Sequence, residues 1–126
     1  MSELEVRVKA DIKPSEDPDK VFEGVKTLFP DLDYEFNDKE LVGKGEGLEV
    51  LETFKNKLGI QSIRDSARRE LNKAKKGDKL FFLLNRQAAT VHKVSFSDGD
   101  TPLGPIEIEI FSEDLDGLVD YLTNKS

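Results

Sequence analysis

The sequence predicts an α+β fold: a mostly antiparallel sheet packed against helices, in the rough order β-α-β-β-α-α-β-β-β-α. Three observations carry this. Leu4, Val6, Val8, Ala10 and Ile12 alternate with charged residues, as do Ile106, Ile108 and Ile110 with Glu107 and Glu109, which is the period of strands solvated on one face. Apolar residues near 17–29, 48–58 and 113–123 recur at helical spacing. The two kinds of segment do not alternate strictly, which argues against a doubly wound parallel sheet.

The first strand spans 4–12 and ends before Pro14. Asp17-Pro18 then starts a helix, because Asp suits the cap and Pro the first turn. Val21, Phe22, Val25, Leu28 and Phe29 form its inward stripe, and Pro30 stops it. Tyr34 and Phe36 predict a short strand, Asn37-Asp38 a turn, and 39–47 a second strand ending in a glycine-rich flexible corner. Those glycines do not form the Gly-x-Gly-x-x-Gly fingerprint of dinucleotide sites.

A helix over 48–58 carries Leu48, Leu51, Phe54 and Leu58, with Gly59 just past its end. A third helix over 62–76 is expected, with Ser62 as cap, Asp65 in its first turn and Ile63, Ala67, Leu71 and Ala74 facing inward. The run Leu80–Asn85 reads as a strand covered on both faces. Val91–Phe96 predicts another strand, Ser97–Asp100 a turn, and Pro105–Phe111 the last strand. Ser112 caps a final helix over 113–123, with Glu113 and Asp114 where the helix dipole favours acids.

A chain of 126 residues has the length of a single domain, taken here as 1–126. At 37% hydrophobic and 36% charged, with periodic apolar residues, it is not a disordered sequence. No stretch approaches the ~18 apolar residues of a membrane span. No basic, apolar N-terminus reads as a signal peptide, so a cytoplasmic location is expected. The absence of Cys and the single His leave no thiolate or multi-His metal site, and no cofactor is called for. The high charge content and the lack of Cys suit a heat-adapted protein.

The charges are unevenly placed. The net charge is -7, yet residues 55–93 carry 11 Lys and Arg against 3 Asp and Glu. This basic segment centres on the third helix. Arg64, Arg68 and Lys75 flank its buried stripe, Arg69, Lys73 and Lys76 lie outward or on the other side, and Lys79 and Arg86 bracket the next strand. Arg offers phosphate a bidentate fork and Lys a point charge. A cluster confined to one element is the footprint of a nucleic-acid-facing surface. The same cations equally suit a solvated helix face or pairing with acids of this chain, a partner or a second copy.

Other constellations weigh less. His92 lacks a nucleophile motif beside it, Glu107 and Glu109 are the polar side of a strand, and Asp98-Gly99-Asp100 is only a fragment of a calcium loop. Phe81, Phe82, Phe96 and Phe111 read as core, not as base-stacking platforms. Asn85-Arg86-Gln87, leaving a core strand, either knits a turn or reads a ligand.

Gln61-Ser62-Ile63-Arg64-Asp65-Ser66-Ala67-Arg68, then Leu84-Asn85-Arg86-Gln87-Ala88-Ala89, then Gly104-Pro105-Ile106-Glu107-Ile108-Glu109-Ile110 resemble, in that order, an archaeal family catalogued as uncharacterised protein family 0201 and described as RNA-binding. Glu5–Ala10 and Glu16-Asp17-Pro18 resemble it too, so the likeness spans nearly the whole chain. It implies a fold similar to the large-subunit ribosomal protein that binds 5S RNA, a homodimer, and no catalytic residues. Against the family pattern, Arg86 stands where Lys is common and His92 where Gly is common. The resulting expectation is a non-enzymatic, acidic, cytoplasmic protein that binds RNA through the basic helix and the Arg86 turn. Arg64, Arg68, Lys75, Lys76 and Lys79 would contact phosphates, and Asn85 and Gln87 sugar or base edges, with Arg86 between them. The alternative is a protein–protein interaction or scaffold module using the same basic face.

Overall fold

The computed structural model describes residues 4–99 and 104–124. Its elements are β1 (Glu5–Asp11), α1 (Pro18–Leu28), β2 (Asp33–Phe36), β3 (Glu40–Glu46), a 3-10 turn (Leu48–Leu51), α2 (Glu52–Ile60), α3 (Arg64–Lys73), β4 (Lys75–Lys76), β5 (Lys79–Leu84), α4 (Arg86–Thr90), β6 (Phe96–Ser97), β7 (Ile106–Phe111) and α5 (Leu115–Thr123). The strands form one antiparallel sheet in the order β2-β3-β1-β7-β5-β4, with β6 also on β5. The fold is therefore α+β.

Strand alternation divides the sheet into two faces. Val6, Val8 and Ala10 of β1, Leu80, Phe82 and Leu84 of β5 and Ile106, Ile108 and Ile110 of β7 are buried against the helices. Phe54 of α2 sits at the centre with 0% exposure, its ring 5.2 Å from Phe29 and 5.9 Å from Phe82. The intervening residues lie on the other face, which no described helix covers. Two short strands, β4 and β6, form one edge of the sheet, and β2, with exposed Asp33 and Glu35, forms the other.

Several local expectations are corrected. Residues 91–96 are not a strand: Asn85 accepts from Ala88 N at 3.0 Å and caps the short α4, and only 96–97 pair. The strand expected over 39–47 is Glu40–Glu46, and the Tyr34 ring lies across its Gly43. The Tyr34 hydroxyl donates to Phe29 O at 2.5 Å, and burial raises its pKa. Ser62 does not cap α3, because its backbone turns left-handed (φ 59°). Asp114, not Ser112, caps α5 by accepting from Gly117 N, while Ser112 accepts from Asp114 N. Leu80–Leu84 has one buried and one half-exposed face instead of two covered ones. Asp100 lies outside the described residues.

His92 is exposed in the turn after α4 at φ 63°. A left-handed backbone costs an L residue about 1–2 kcal/mol, so glycine is the residue that this turn suits. His92→Gly is expected to stabilise the protein by about 0.5–1 kcal/mol, the strain relieved outweighing the entropy that Gly adds to the unfolded chain. Urea denaturation checks this, and a lowered midpoint contradicts it.

Candidate nucleic-acid interface

The basic segment folds as the greater part of α2, then α3, the β4–β5 hairpin and α4. Ala67 and Leu71 anchor α3 in the core, so its remaining positions divide into flanks and an outward face. On one flank, Arg68 Nη1 bonds Asp120 at 2.8 Å and its Nη2 reaches Asn124 Oδ1 at 3.4 Å. Lys75 pairs with Asp116 of the same helix, α5. Hydrogen bonding to Lys75, then its charge, holds the Asp116 carboxyl below its ordinary range. A carboxyl depressed in the folded state stabilises at neutral pH, and that contribution fades as the pH falls into the acid range. Both pairs are solvated, so water and salt screen them and neither adds much to stability. Lys79 bonds Glu109 at 2.8 Å on the uncovered sheet face.

Arg64 behaves differently. Its guanidinium lies over Gly59 so closely that any Cβ there would collide with it. Its Nε is buried without a hydrogen-bond partner, beside a surface cleft of about 420 Å³ lined by Gly59, Ser62, Arg64 and Asp65. Gly59 thus lies within the last turn of α2 and makes room for Arg64, instead of following the helix end.

The outward face of α3 carries Arg69 and Lys73, one turn apart, and Lys76 follows on β4. Arg69 has no ion-pair partner among the described residues, and Lys73 only a 3.4 Å contact with Glu70. Lys76 lies 5.6 Å over the Phe81 ring. Lys93 is exposed near the other end of this region.

Arg86 is placed otherwise than expected. It is 4% exposed, and its guanidinium donates to Glu16 Oε1 (2.8 Å), Asp11 O (2.6 Å), Gly104 O (2.9 Å) and Pro105 O (3.3 Å). A head group saturated in this way has nothing to offer a phosphate. Asn85 is likewise occupied by capping α4, while Gln87 is exposed. Asn85 lies six residues along from Lys79, about 20 Å at ~3.3 Å per residue, so the structure does not gather Asn85 and Gln87 with Lys76 and Lys79.

Sequence reasoning also misassigned two rings. Phe82 is core and Phe96 packs against it at 5.8 Å, but Phe81 and Phe111 lie half-exposed on the uncovered face. The signal was the register, since Phe81 pairs with Glu109 and Phe111 with Lys79, both outward residues. Glu107 and Glu109 share that face. Among the described residues no group of three or more His, Asp or Glu is placed to hold a metal ion, and no helix is long and apolar enough to cross a membrane.

A family model described as RNA binding matches residues 5–111. A UPF0201 protein of Sulfurisphaera tokodaii is 38% identical over 94% of this chain and 86% of its own length. The chain belongs to the UPF0201 family. A second UPF0201 protein, from Methanothermobacter thermautotrophicus, is 36% identical over 93% of this chain and 89% of its own. The crystal structure of the UPF0201 protein from Methanococcus jannaschii superposes with a TM-score of 0.85 at 32% identity, covering 95% of this chain and 99% of that one. In this UPF0201 chain the exposed cations Arg69, Lys73 and Lys76 lie on α3 and β4.

Proposed function

We propose that this chain is a non-enzymatic, single-domain RNA-binding protein whose phosphate contacts come from the outward face of α3 and the β4–β5 hairpin. The observation that carries the reading is the sorting of cations in a protein of net charge -7. Arg68, Lys75 and Lys79 are held by acids from other elements of this chain, whereas Arg69, Lys73 and Lys76 line the solvent side of one short segment, Lys73 meeting only Glu70 of its own helix at 3.4 Å. Arg64, which lines the surface cleft, and the exposed Gln87 supply further polar contacts at the far end. Arg86 and Asn85 act through the fold, by fixing the turn that carries Gln87. The match to the model described as RNA binding supports the same ligand class. A local patch works within a Debye length of ~8 Å even on an acidic protein.

Titration of fluorescent single-stranded and structured RNA at several salt concentrations tests this. Arg69→Ala, Lys73→Ala and Lys76→Ala together are expected to cut the log–log salt slope by about two to three units. The pair Arg68→Ala, Lys75→Ala is expected to change it by less than about one, because those charges already face acids. An unchanged slope in the triple variant removes this face as the RNA site.

The second reading is a protein-interaction module on the same basic face. The ion pairs of Arg68 and Lys75 with α5 favour it, since they show this flank accommodating an acidic helix. A cytoplasmic homodimer belongs to both readings, and sedimentation of the purified protein measures it.

A further inference from the structure

The uncovered sheet face holds a cluster that the basic-helix reading does not use. Across β4, β5, β7 and β1, register places Lys76, Lys79, Phe111 and Glu5 in one row and Phe81, Glu109 and Arg7 in the next. The two rings are diagonal neighbours, a separation of about 7–8 Å between backbones. Three cations lie over them. Lys79 Nζ is 5.9 Å from the Phe81 centroid and 5.7 Å from that of Phe111, Lys76 Nζ is 5.6 Å from Phe81, and the Arg7 guanidinium is 5.4 Å from Phe111. Two acids belong to the same cluster: Glu109 accepts from Lys79 at 2.8 Å, and Glu5 from Arg7 at 3.0 Å. Lys76 has no ion-pair partner among the described residues, and it follows α3, which carries Arg69 and Lys73.

We infer that Phe81 and Phe111 form a stacking platform for unpaired RNA bases, with Lys76, Lys79 and Arg7 as its phosphate-facing rim. This rests on the RNA-binding reading and specifies what kind of RNA the face takes. Rings on an uncovered sheet offer flat surfaces to splayed bases, whereas a duplex keeps its bases stacked on one another. In the free protein the charged heads of Lys76, Lys79 and Arg7 themselves lie over the rings. An incoming base displaces a head from above a ring, and that cation turns to the adjoining phosphate. Cations flank the rings on both sides: toward α3 lie Lys76, Lys73 and Arg69, and toward β3 the row of Phe81 continues to Arg7 and Lys44, while the row of Phe111 ends in Glu5 and Glu46. A single strand crossing the rings thus meets phosphate-facing cations on either side, those of α3 among them.

The test compares wild type with Phe81→Leu/Phe111→Leu, which keeps apolar cover and removes the rings, and with Arg69→Ala/Lys73→Ala. The probes are a fluorescent single-stranded oligoribonucleotide, its duplex, and the same strand with abasic sites. Circular dichroism melts check folding. Expected is a loss of about tenfold or more per ring for the single strand with an unchanged salt slope, a similar loss when wild type meets the abasic strand, and little change for the duplex. The helix variant is expected to show the reverse pattern, a lower slope with single-strand preference kept. The abasic comparison uses unmodified protein, so it decides even where the ring variant folds poorly. Equal binding of intact and abasic strands overturns the platform while leaving phosphate binding by α3 intact. Absence of binding to every probe overturns both. A shift of the ring variant from dimer to monomer in sedimentation assigns this face to a second copy and overturns the platform as well.

Discussion

Arg86→Ala is expected to destabilise the protein by about 3–5 kcal/mol, the range for breaking one side of a buried ion pair. The guanidinium reaches four partners on three stretches of chain: the end of β1 at Asp11, the corner at Glu16, and Gly104 and Pro105 before β7. Its removal leaves the Glu16 carboxylate, 9% exposed, without its cation, and three carbonyls without their donor. Arg86→Lys keeps a charge but supplies one compact ammonium with three donors in place of a planar fork. A loss of about 1–3 kcal/mol is expected for it, the cost of leaving buried polar groups unpaired. Urea denaturation at constant m-value measures both. The folded Arg86→Lys protein is further expected to bind RNA as wild type does, because this head group never faces solvent. A lowered salt slope in that variant would return Arg86 to the interface.

Phe54→Ala is expected to cost about 3–5 kcal/mol, the usual range for emptying an aromatic site in a packed core. Phe54 joins the α1 end, through Phe29, to the central strand residue Phe82. Aromatic neighbours cannot collapse into the void without giving up their own ring contacts. Phe54→Leu fills part of the space, and a smaller loss is expected. Equal stabilities of the two variants would mean that the core relaxes around this position.

Most of the architecture was legible because period two and period 3.6 are read directly from apolar spacing. Val6, Val8, Ala10, Ile106, Ile108 and Ile110 all face the core as the alternation requires. Misreadings occurred where one local pattern supports two structures. Val91, Val94 and Phe96 look extended, yet the Asn85 cap starts a helical turn just before them, and left-handed His92 redirects the chain. The run Leu80–Leu84 was too uniformly apolar to reveal that one face is uncovered. At the candidate site, helix spacing distinguished inward from outward positions on α3. It was blind to Asp116 and Asp120, which come from 41 and 52 residues away and pair with Lys75 and Arg68. Arg86 was unreadable for the same reason, since its partners lie on both sides of it in sequence.

The two borders of the sheet also bear on how the protein behaves when concentrated. Strand borders recruit further strands, and natural proteins blunt them with charge or brevity. Here β2 presents Asp33 and Glu35, while the opposite border consists of two-residue strands, one of them Lys75-Lys76. Joining like borders meets repulsion. Joining unlike borders is electrostatically permitted, yet it meets a template only two residues long. Growth of the sheet from molecule to molecule is thereby disfavoured on both sides, a safeguard against fibre formation for a chain whose sheet also leaves one face open.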